Sequence, residues 1–125
     1  MSSPNELKYT EDHEWVKIDG DIASIGITDH AQSELGDIIF IEFPEINDEI
    51  ENKEPFGTIE AVKTVADLFA PLNGKIIEVN EDLEDSPELV NSDPYGKGWI
   101  VKVIVEKLDQ LDDLLSSKEY EELIS

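Results

Sequence analysis

The sequence contains no cysteine and no arginine. Without cysteine, the chain has no thiol that could form a disulfide, attack a substrate or bind a metal, so any sulfur chemistry must come from an added group. Without arginine, it lacks the planar cation that grips phosphate through paired hydrogen bonds. It also has no apolar run long enough to form a membrane-spanning helix. These absences argue against a disulfide scaffold, a thiol enzyme and a membrane-embedded protein.

The charge is strongly one-sided, because 31 acidic residues face nine lysines and give a formal net charge of -22. Such a chain is repelled by nucleic-acid backbones and by anionic membranes, so neither is expected as a partner. The charge favours solubility, and it is equally compatible with steering toward basic faces of partner proteins. The first residues show no secretory or transit pattern, which predicts a cytoplasmic protein, or a mitochondrial one if this is a processed mature chain.

The usual components of an active site are scarce. His13 and His30, the two histidines, lie in different predicted elements at a spacing that does not indicate a shared metal, so we expect structural or surface roles for them and no metal site. The acidic stretch 80–85 lacks the glycine and the terminal glutamate of a calcium-binding EF-hand loop. Glycine-rich phosphate loops are also missing. The sequence therefore favours a non-catalytic protein over an enzyme.

Short β-strands separated by turn residues dominate the predicted structure. Asp19-Gly20 predicts a tight hairpin between strands 14–18 and 21–27. Thr28 and Asp29 are expected to cap a short helix that runs to Leu35, and Gly36 is expected to end it in the left-handed conformation. Further strands are predicted at 38–43, 56–60, 64–69, 75–79 and 99–105. The strand 38–43 is apolar on both faces, which predicts that it is well buried.

The end of the chain reads as helical. Leucines recur at helical spacing after residue 107, and Ser116 with Glu119 matches a capping box for a final helix through Ile124. Segment 81–93 is expected to be a loop with at most one helical turn. At 125 residues and 39% hydrophobic content, we predict one domain over 1–125, with a β body containing one short helix over 1–106 and C-terminal helices over 107–125.

Lys63 is the most informative single residue, because it lies in the short connection between strands 56–60 and 64–69. A lysine at a hairpin tip exposes its amine to a modifying enzyme and lets an attached arm swing outward. A surface lysine taken alone is usually just a solvated charge.

Two other kinds of carrier protein fit the sequence less well. An acyl carrier would need a serine at the start of a helix, for which Ser86 before Pro87 is a poor candidate. Biotinyl lysines usually lie between methionines, whereas Val62 and Thr64 flank this one.

The segment around Lys63 resembles the lipoyl-lysine motif of the glycine cleavage system H protein family, in which glutamate, serine, valine and lysine precede a proline-x-x-glycine turn. Here the residues are Glu60-Ala-Val-Lys63, followed by Pro71-Leu-Asn-Gly74. The family pattern also appears in residues 8–16, 25–32, 35–44, 88–91 and 93–96, so the resemblance covers nearly the whole chain. Two positions depart from it: Ala61 replaces the usual serine, which bears on recognition by the lipoylating enzyme, and Asn47 replaces a common glycine.

The resemblance implies a mainly β fold, a lipoyl-domain-like hybrid barrel-sandwich with short helices and a C-terminal helical segment. It also implies lipoate joined to Lys63 through an amide. The arm would accept an aminomethyl group at a pyridoxal-phosphate glycine decarboxylase (P protein) and deliver it to a tetrahydrofolate-dependent aminomethyltransferase (T protein). It would then be reoxidised by dihydrolipoyl dehydrogenase (L protein). A separate lipoylating enzyme would attach the group, and the carrier itself would be a non-catalytic monomer.

By the same resemblance, Glu14 and Asp67, with Asp12 as a third candidate, are expected to dock the loaded arm. The cargo amine carries a positive charge when protonated, and carboxylates can hold it by charge-assisted hydrogen bonds. Asp12 is equally well explained as a solvated surface residue. An alternative function is that of a lipoyl relay or regulatory interaction protein, which would carry the modified lysine without taking part in glycine turnover.

Overall fold

Two antiparallel sheets form the body of the protein, and the computed structural model describes residues 7–124. The parts of the domain prediction that concern residues 1–6 and 125 lie outside the described residues. The six-stranded sheet has the order β1 (Lys8–Tyr9), β2 (Glu14–Asp19), β3 (Ile22–Ile27), β9 (Val101–Val105), β8 (Gly74–Val79), β5 (Glu49–Ile50). The three-stranded sheet has the order β4 (Ile38–Glu42), β6 (Pro55–Ala61), β7 (Val65–Phe69). The mainly β prediction is therefore confirmed.

The core lies where branched aliphatic side chains of both sheets meet. Each strand alternates its side chains between two faces, so every second residue can be buried. Ile25 and Ile76 of the larger sheet and Ile59 of the smaller one are almost completely buried in a single cluster. Burial of each such side chain contributes about 2 kcal/mol. No helix in the described range 7–124 is long and apolar enough to cross a membrane.

The predicted hairpin and the first helix are present. Gly20 takes a positive φ of 66° in the β2–β3 turn. Helix α1 spans Asp29–Leu35, and the hydroxyl of Thr28 accepts the N–H of Ala31 at 3.2 Å as its N-cap. Gly36 ends the helix with φ 83° and ψ -157°, so the prediction of a left-handed conformation was wrong in ψ. Its conformation is nevertheless one that glycine adopts far more readily than other residues.

Three other expectations need correction. Within residues 7–106 the β body holds three short helices rather than one, because α2 (Asp82–Asp85) and α3 (Leu89–Ser92) follow α1. Segment 81–93 therefore contains two short helices, and the prediction of a loop with at most one helical turn was wrong. Leu83 and Val90 are buried, so tertiary packing stabilises turns whose local sequence favours loops. Strand β4 lies at the edge of its sheet and carries a register shift, and Ile39 and Phe40 are about half exposed. The prediction that this strand is well buried was therefore wrong.

The C-terminal segment packs on the first strands. A 3₁₀ helix spans Leu108–Asp113, and α4 spans Ser117–Ile124. The capping box is confirmed, because Ser116 N–H donates to Glu119 Oε1 at 2.9 Å and Glu119 N–H donates to Ser116 Oγ at 3.2 Å. Tyr120 of α4 is buried and stacks on Tyr9 with ring centroids 4.8 Å apart.

The hydroxyl of Tyr120 ties α4 to the cap of α1. It lies 2.7 Å from Thr28 Oγ1 and 2.8 Å from His13 Nδ1. Tyr120→Phe removes this hydroxyl and both of its hydrogen bonds, so we expect the free energy of unfolding to fall by about 1–3 kcal/mol. Urea unfolding followed by circular dichroism measures the change. An unchanged free energy would show that these two bonds do not stabilise the docking of α4.

Candidate functional site

Lys63 lies in the tight connection between β6 and β7. Glu60 pairs with Val65 at the end of the ladder, and the N–H of Ala61 donates to the carbonyl of Thr64 at 2.8 Å. The side chain of Lys63 is exposed, and in the described part of the chain it makes no ion pair. The amine is therefore held on a hydrogen-bonded turn and remains open to reaction.

The segment that follows helix α1 supports this turn from one side. The N–H of Val62 donates to the carbonyl of Asp37 at 3.0 Å. The Asn91 side chain fixes the same segment, because its Nδ2 donates to Gly36 O at 2.8 Å and its Oδ1 accepts the N–H of Ile38 at 2.9 Å. Sequence reasoning did not give Asn91 a role, and the only signal was its place in the family pattern.

The side chain of Lys63 lies across the backbone of Gly36. A methyl group built on Gly36 would be 3.4 Å from Cε and 3.9 Å from Nζ of Lys63. The amine therefore lies beside the end of α1, whose residues Glu34 and Leu35 line a neighbouring cleft.

Ala61, where the family pattern has serine, is only 5% exposed. The side chain at this position therefore contributes little to the surface around Lys63.

The turn is surrounded by exposed apolar side chains. Val62 is 71% exposed and Val65 is 60% exposed, and Ile39 and Phe40 are exposed on the edge strand paired with β6. Apolar groups clustered at the surface commonly mark sites of protein contact. We refer to Ile39, Phe40, Val62 and Val65 as the apolar collar of Lys63.

The adjacent cleft has a volume of about 210 Å³. Its apolar walls come from both sheets and from α1, and its polar groups come from the β1–β2 turn, the start of β2, α1 and β7. The lining residues are Asp12, His13, Glu14, Ile27, Ala31, Glu34, Leu35, Ile59, Ala66, Asp67 and Leu68.

Glu14 is the most unusual residue of the cleft, because its carboxyl group is almost completely buried. Its Oε2 accepts the N–H of Phe69 at 2.7 Å, which connects β2 of one sheet with β7 of the other. Its Oε1 is buried and has no partner within the described residues. Burial raises the pKa of Glu14 well above the ordinary value, the bond from Phe69 opposes this, and Asp12 adds to it. The group is thus an unsatisfied acid beside a cavity.

The structure brings together the three carboxylates that the resemblance predicted. Asp12 precedes Glu14 in the β1–β2 turn, and Asp67 lies on β7 across the cleft. Asp12 and Asp67 are exposed, whereas Glu14 is buried. A ligand with a positive charge would therefore find one enclosed acid and two solvated ones around the same space.

The structure also brings the two histidines together. His13 has a positive φ of 66° in the β1–β2 turn, and its ring centroid lies 4.8 Å from that of His30 on α1. His30 Nε2 is 3.0 Å from Glu34 Oε1. Burial, followed by the charge of His30, lowers the pKa of His13. The spacing in the sequence gave no indication of this proximity.

A larger surface hollow of about 470 Å³ lies elsewhere. Pro44, Glu49, Ile50 and Phe56 are among its lining residues. Its lining includes no residue of α1, the helix whose end lies beside Lys63, so size alone does not identify the functional cavity. The smaller cleft is the better candidate because Glu34 and Leu35 of its lining directly precede Gly36, which the Lys63 side chain contacts, and because it contains a buried acid without a full set of partners.

Comparisons with known proteins agree with the resemblance. The family model described as Glycine cleavage H-protein matches residues 7–125. The glycine cleavage system H protein of Halalkalibacterium halodurans is 58% identical over 122 residues, covering 98% of this chain and 95% of that protein. The H protein of Staphylococcus carnosus is 57% identical over 124 residues, covering 99% and 98%.

A solved structure gives the same result for the fold. The crystal structure of a glycine cleavage system H protein from Mycobacterium marinum superposes with a TM-score of 0.88 at 38% sequence identity. The match covers 96% of this chain and 97% of that one. The predicted lipoyl-domain-like barrel-sandwich is thereby confirmed.

The raised pKa of Glu14 has a consequence for stability. The folded state binds this proton more tightly than the unfolded state, so the native chain loses stability as the pH rises from the ordinary glutamate pKa through the folded one. Glu14→Gln keeps an acceptor for Phe69 but cannot ionise. We expect this variant to match the native chain near pH 4 and to be the more stable of the two at pH 8, with a difference that grows as the pH rises between these values.

Urea unfolding over this pH range measures the difference. Glu45→Gln is the matched control, because Glu45 is exposed and its replacement removes the same charge. The control should follow the native chain at every pH. A stability difference for Glu14→Gln that does not change with pH would show that Glu14 is an ordinary ionised carboxylate.

Proposed function

This chain belongs to the glycine cleavage H-protein family and has the lipoyl carrier role in the glycine cleavage system, and we propose that it carries lipoate as an amide on Lys63. In this role it moves the aminomethyl group of glycine from the decarboxylase to the aminomethyltransferase and then carries the reduced arm to reoxidation. The observation that supports the site is the exposed amine of Lys63 on a fixed hairpin tip, beside a cleft with a buried acid.

The surroundings of Lys63 fit such an attachment. Amide formation removes the positive charge, and no ion pair in the described residues would be broken by that loss. The turn is fixed by the bond from Ala61 to Thr64 and by the bond from Val62 to Asp37, so the backbone need not move when the arm does. When bound, lipoate supplies a disulfide that accepts electrons and a carbon cargo, which a chain without cysteine cannot supply.

The cleft has the chemistry to shelter an arm that folds back. Leu35, Ile59 and Leu68 offer apolar contact for a hydrocarbon chain and its ring, and their packing reduces access of water. Glu14 and Asp67 offer oxygens to a protonated amine, with Asp12 at the rim as the third candidate. An ammonium group next to Oε1 of Glu14 would favour the ionised carboxylate, so docking would draw a proton from Glu14.

The reactions of the cycle take place on partner proteins. We propose that the apolar collar is the surface that every partner contacts when it binds the hairpin. These partners are the decarboxylase (P protein), the aminomethyltransferase (T protein), dihydrolipoyl dehydrogenase (L protein) and the lipoylating enzyme. This collar lies next to the reacting lysine, and covering apolar side chains that are half exposed or more with a partner surface stabilises the complex. No observation favours the alternative of a lipoyl relay outside glycine turnover.

We further propose that the β body and the C-terminal helices act as one domain, and that the carrier works as a monomer. Tyr120 of α4 is buried against Tyr9, and the two Tyr120 hydroxyl contacts reach α1 and the β1–β2 turn. A single rigid body suits a carrier that has to present the same turn to several enzymes in sequence.

Replacement of Lys63 tests the attachment site. We expect the native chain, produced in cells supplied with lipoate, to show the mass of one lipoyl amide, and Lys63→Ala to show none. Intact-mass measurement distinguishes the two forms. Lys75→Ala is the control, because Lys75 is also exposed but lies on β8, and it should be modified like the native chain. A modified Lys63→Ala chain, or an unmodified native chain, would contradict the proposal.

Asp67→Asn tests the docking cleft separately. If Asp67 holds the protonated cargo, its neutral amide loses the charge-assisted part of the hydrogen bond, which is worth about 1 kcal/mol or more. We expect the loaded carrier to lose its cargo by hydrolysis about five times faster, while lipoylation is unchanged. Release of ammonia over time gives the rate. The control is Asp109→Asn, since Asp109 is exposed in the 3₁₀ helix and does not line the cleft. Equal rates for both variants would remove Asp67 from the docking site.

A further inference from the structure

Two histidines and a glutamate meet at one wall of the cleft, and the carrier mechanism does not require all three. His13 belongs to the β1–β2 turn, and His30 and Glu34 belong to α1. One possible ligand atom from each of the three lies within 4.8 Å of the other two. Between residues 7 and 124, no other group of three histidine or acidic side chains is brought this close together. We call these residues the His13–His30–Glu34 cluster.

The helical geometry of α1 determines how His30 and Glu34 lie relative to each other. Residues four apart on a helix lie on the same face, and His30 Nε2 is 3.0 Å from Glu34 Oε1. The same spacing lets two side chains of one helix bind a single zinc ion in many proteins. Both side chains retain freedom to adjust, because that of His30 is 32% exposed and that of Glu34 is 67% exposed.

The position of His13, the third residue of the cluster, is fixed by its contact with Tyr120. The Nδ1 atom of His13 lies 2.8 Å from the hydroxyl of Tyr120, and this hydroxyl also lies 2.7 Å from Thr28 Oγ1. With the proton on Nδ1, His13 donates to Tyr120 and keeps the lone pair of Nε2 free. Metal-binding histidines typically have such an outer partner on the second ring nitrogen, where it fixes the tautomer and the ring orientation.

We propose that the His13–His30–Glu34 cluster binds a Zn²⁺ ion. Two imidazoles and a carboxylate are a common three-residue ligand set for zinc, with water in the fourth position. Zinc ligands at 2.0–2.2 Å from the ion lie roughly 3.5 Å apart, so the exposed side chains of α1 need to move inward by about 1 Å. The net charge of -22 also raises the concentration of cations near the surface.

The first experiment measures binding to the full chain. Zn²⁺ is titrated at neutral pH in about 0.15 M salt, where binding to scattered surface carboxylates is screened, against a chromophoric competing chelator. We expect one tight equivalent. The titration is repeated with Lys63→Ala, which has neither a lipoyl arm nor its thiols, and we expect the same affinity. A loss of binding in Lys63→Ala would mean that the arm, not the cluster, holds the metal.

Variants of α1 then locate the site. His30→Gln and Glu34→Gln each remove one ligand from an exposed helix face, and we expect each to weaken Zn²⁺ binding at least tenfold. Glu45→Gln removes the same charge as Glu34→Gln from an exposed position outside the cluster, and it should bind like the native chain. Equal weakening by both glutamate variants would show that binding follows net charge alone and would overturn the proposal.

Magnetic resonance of the two histidines provides a structural test, since the chain contains no others. One equivalent of Zn²⁺ should shift the ring signals of both His13 and His30 together, and His30→Gln should reduce the shift of His13 at the same Zn²⁺ concentration. His13 is left intact in these samples because it contacts Tyr120 and its loss could perturb folding. A shift confined to His30, or the absence of any shift, would show that the two rings do not share an ion.

Discussion

The backbone pairing of β6 with β7 is the constraint on which the candidate site depends. It ends at Glu60 and Val65, so only four residues remain to reverse the chain, and Lys63 is one of them. Ala61 is buried before the turn and Asp37 accepts the N–H of Val62, so the backbone that leads into Lys63 is fixed. The reacting amine is thus positioned by main-chain hydrogen bonds, which do not depend on the charge of the lysine. Acylation can remove that charge without loosening the support.

A second interaction joins the two sheets next to this turn. Glu14 comes from the six-stranded sheet and accepts the N–H of Phe69 from the three-stranded sheet. A buried acid is costly in its charged form, and the cost appears as the raised pKa of Glu14. A cation bound in the cleft would offset this penalty, because it would supply the partner that Glu14 Oε1 lacks. Glu14 destabilises the empty protein at high pH. The same carboxylate would strengthen the binding of a protonated amine and would favour an amine over a neutral group.

The local features that the sequence predicted correctly all have short-range causes. Gly20 permits the β2–β3 turn, Thr28 caps α1, and Ser116 with Glu119 caps α4. The features that it missed depend on distant residues. Helices α2 and α3 exist because Leu83 and Val90 reach the core, and β4 is exposed because it became an edge strand. Neither outcome is encoded in the few residues around the element concerned.

The sequence by itself determined the β-rich body, the absence of any thiol of its own, and Lys63 as the residue in a turn whose flanking motif is that of a lipoyl carrier. The tertiary structure alone decided what surrounds that lysine. It brought the Asn91 side chain to the backbone of Gly36 and Ile38, 55 and 53 residues away in the chain, and it placed Glu14 against Phe69 across 55 residues. It also put the rings of His13 and His30 side by side. Short-range preferences act over a few residues, whereas these contacts form only when both sheets close on a common core.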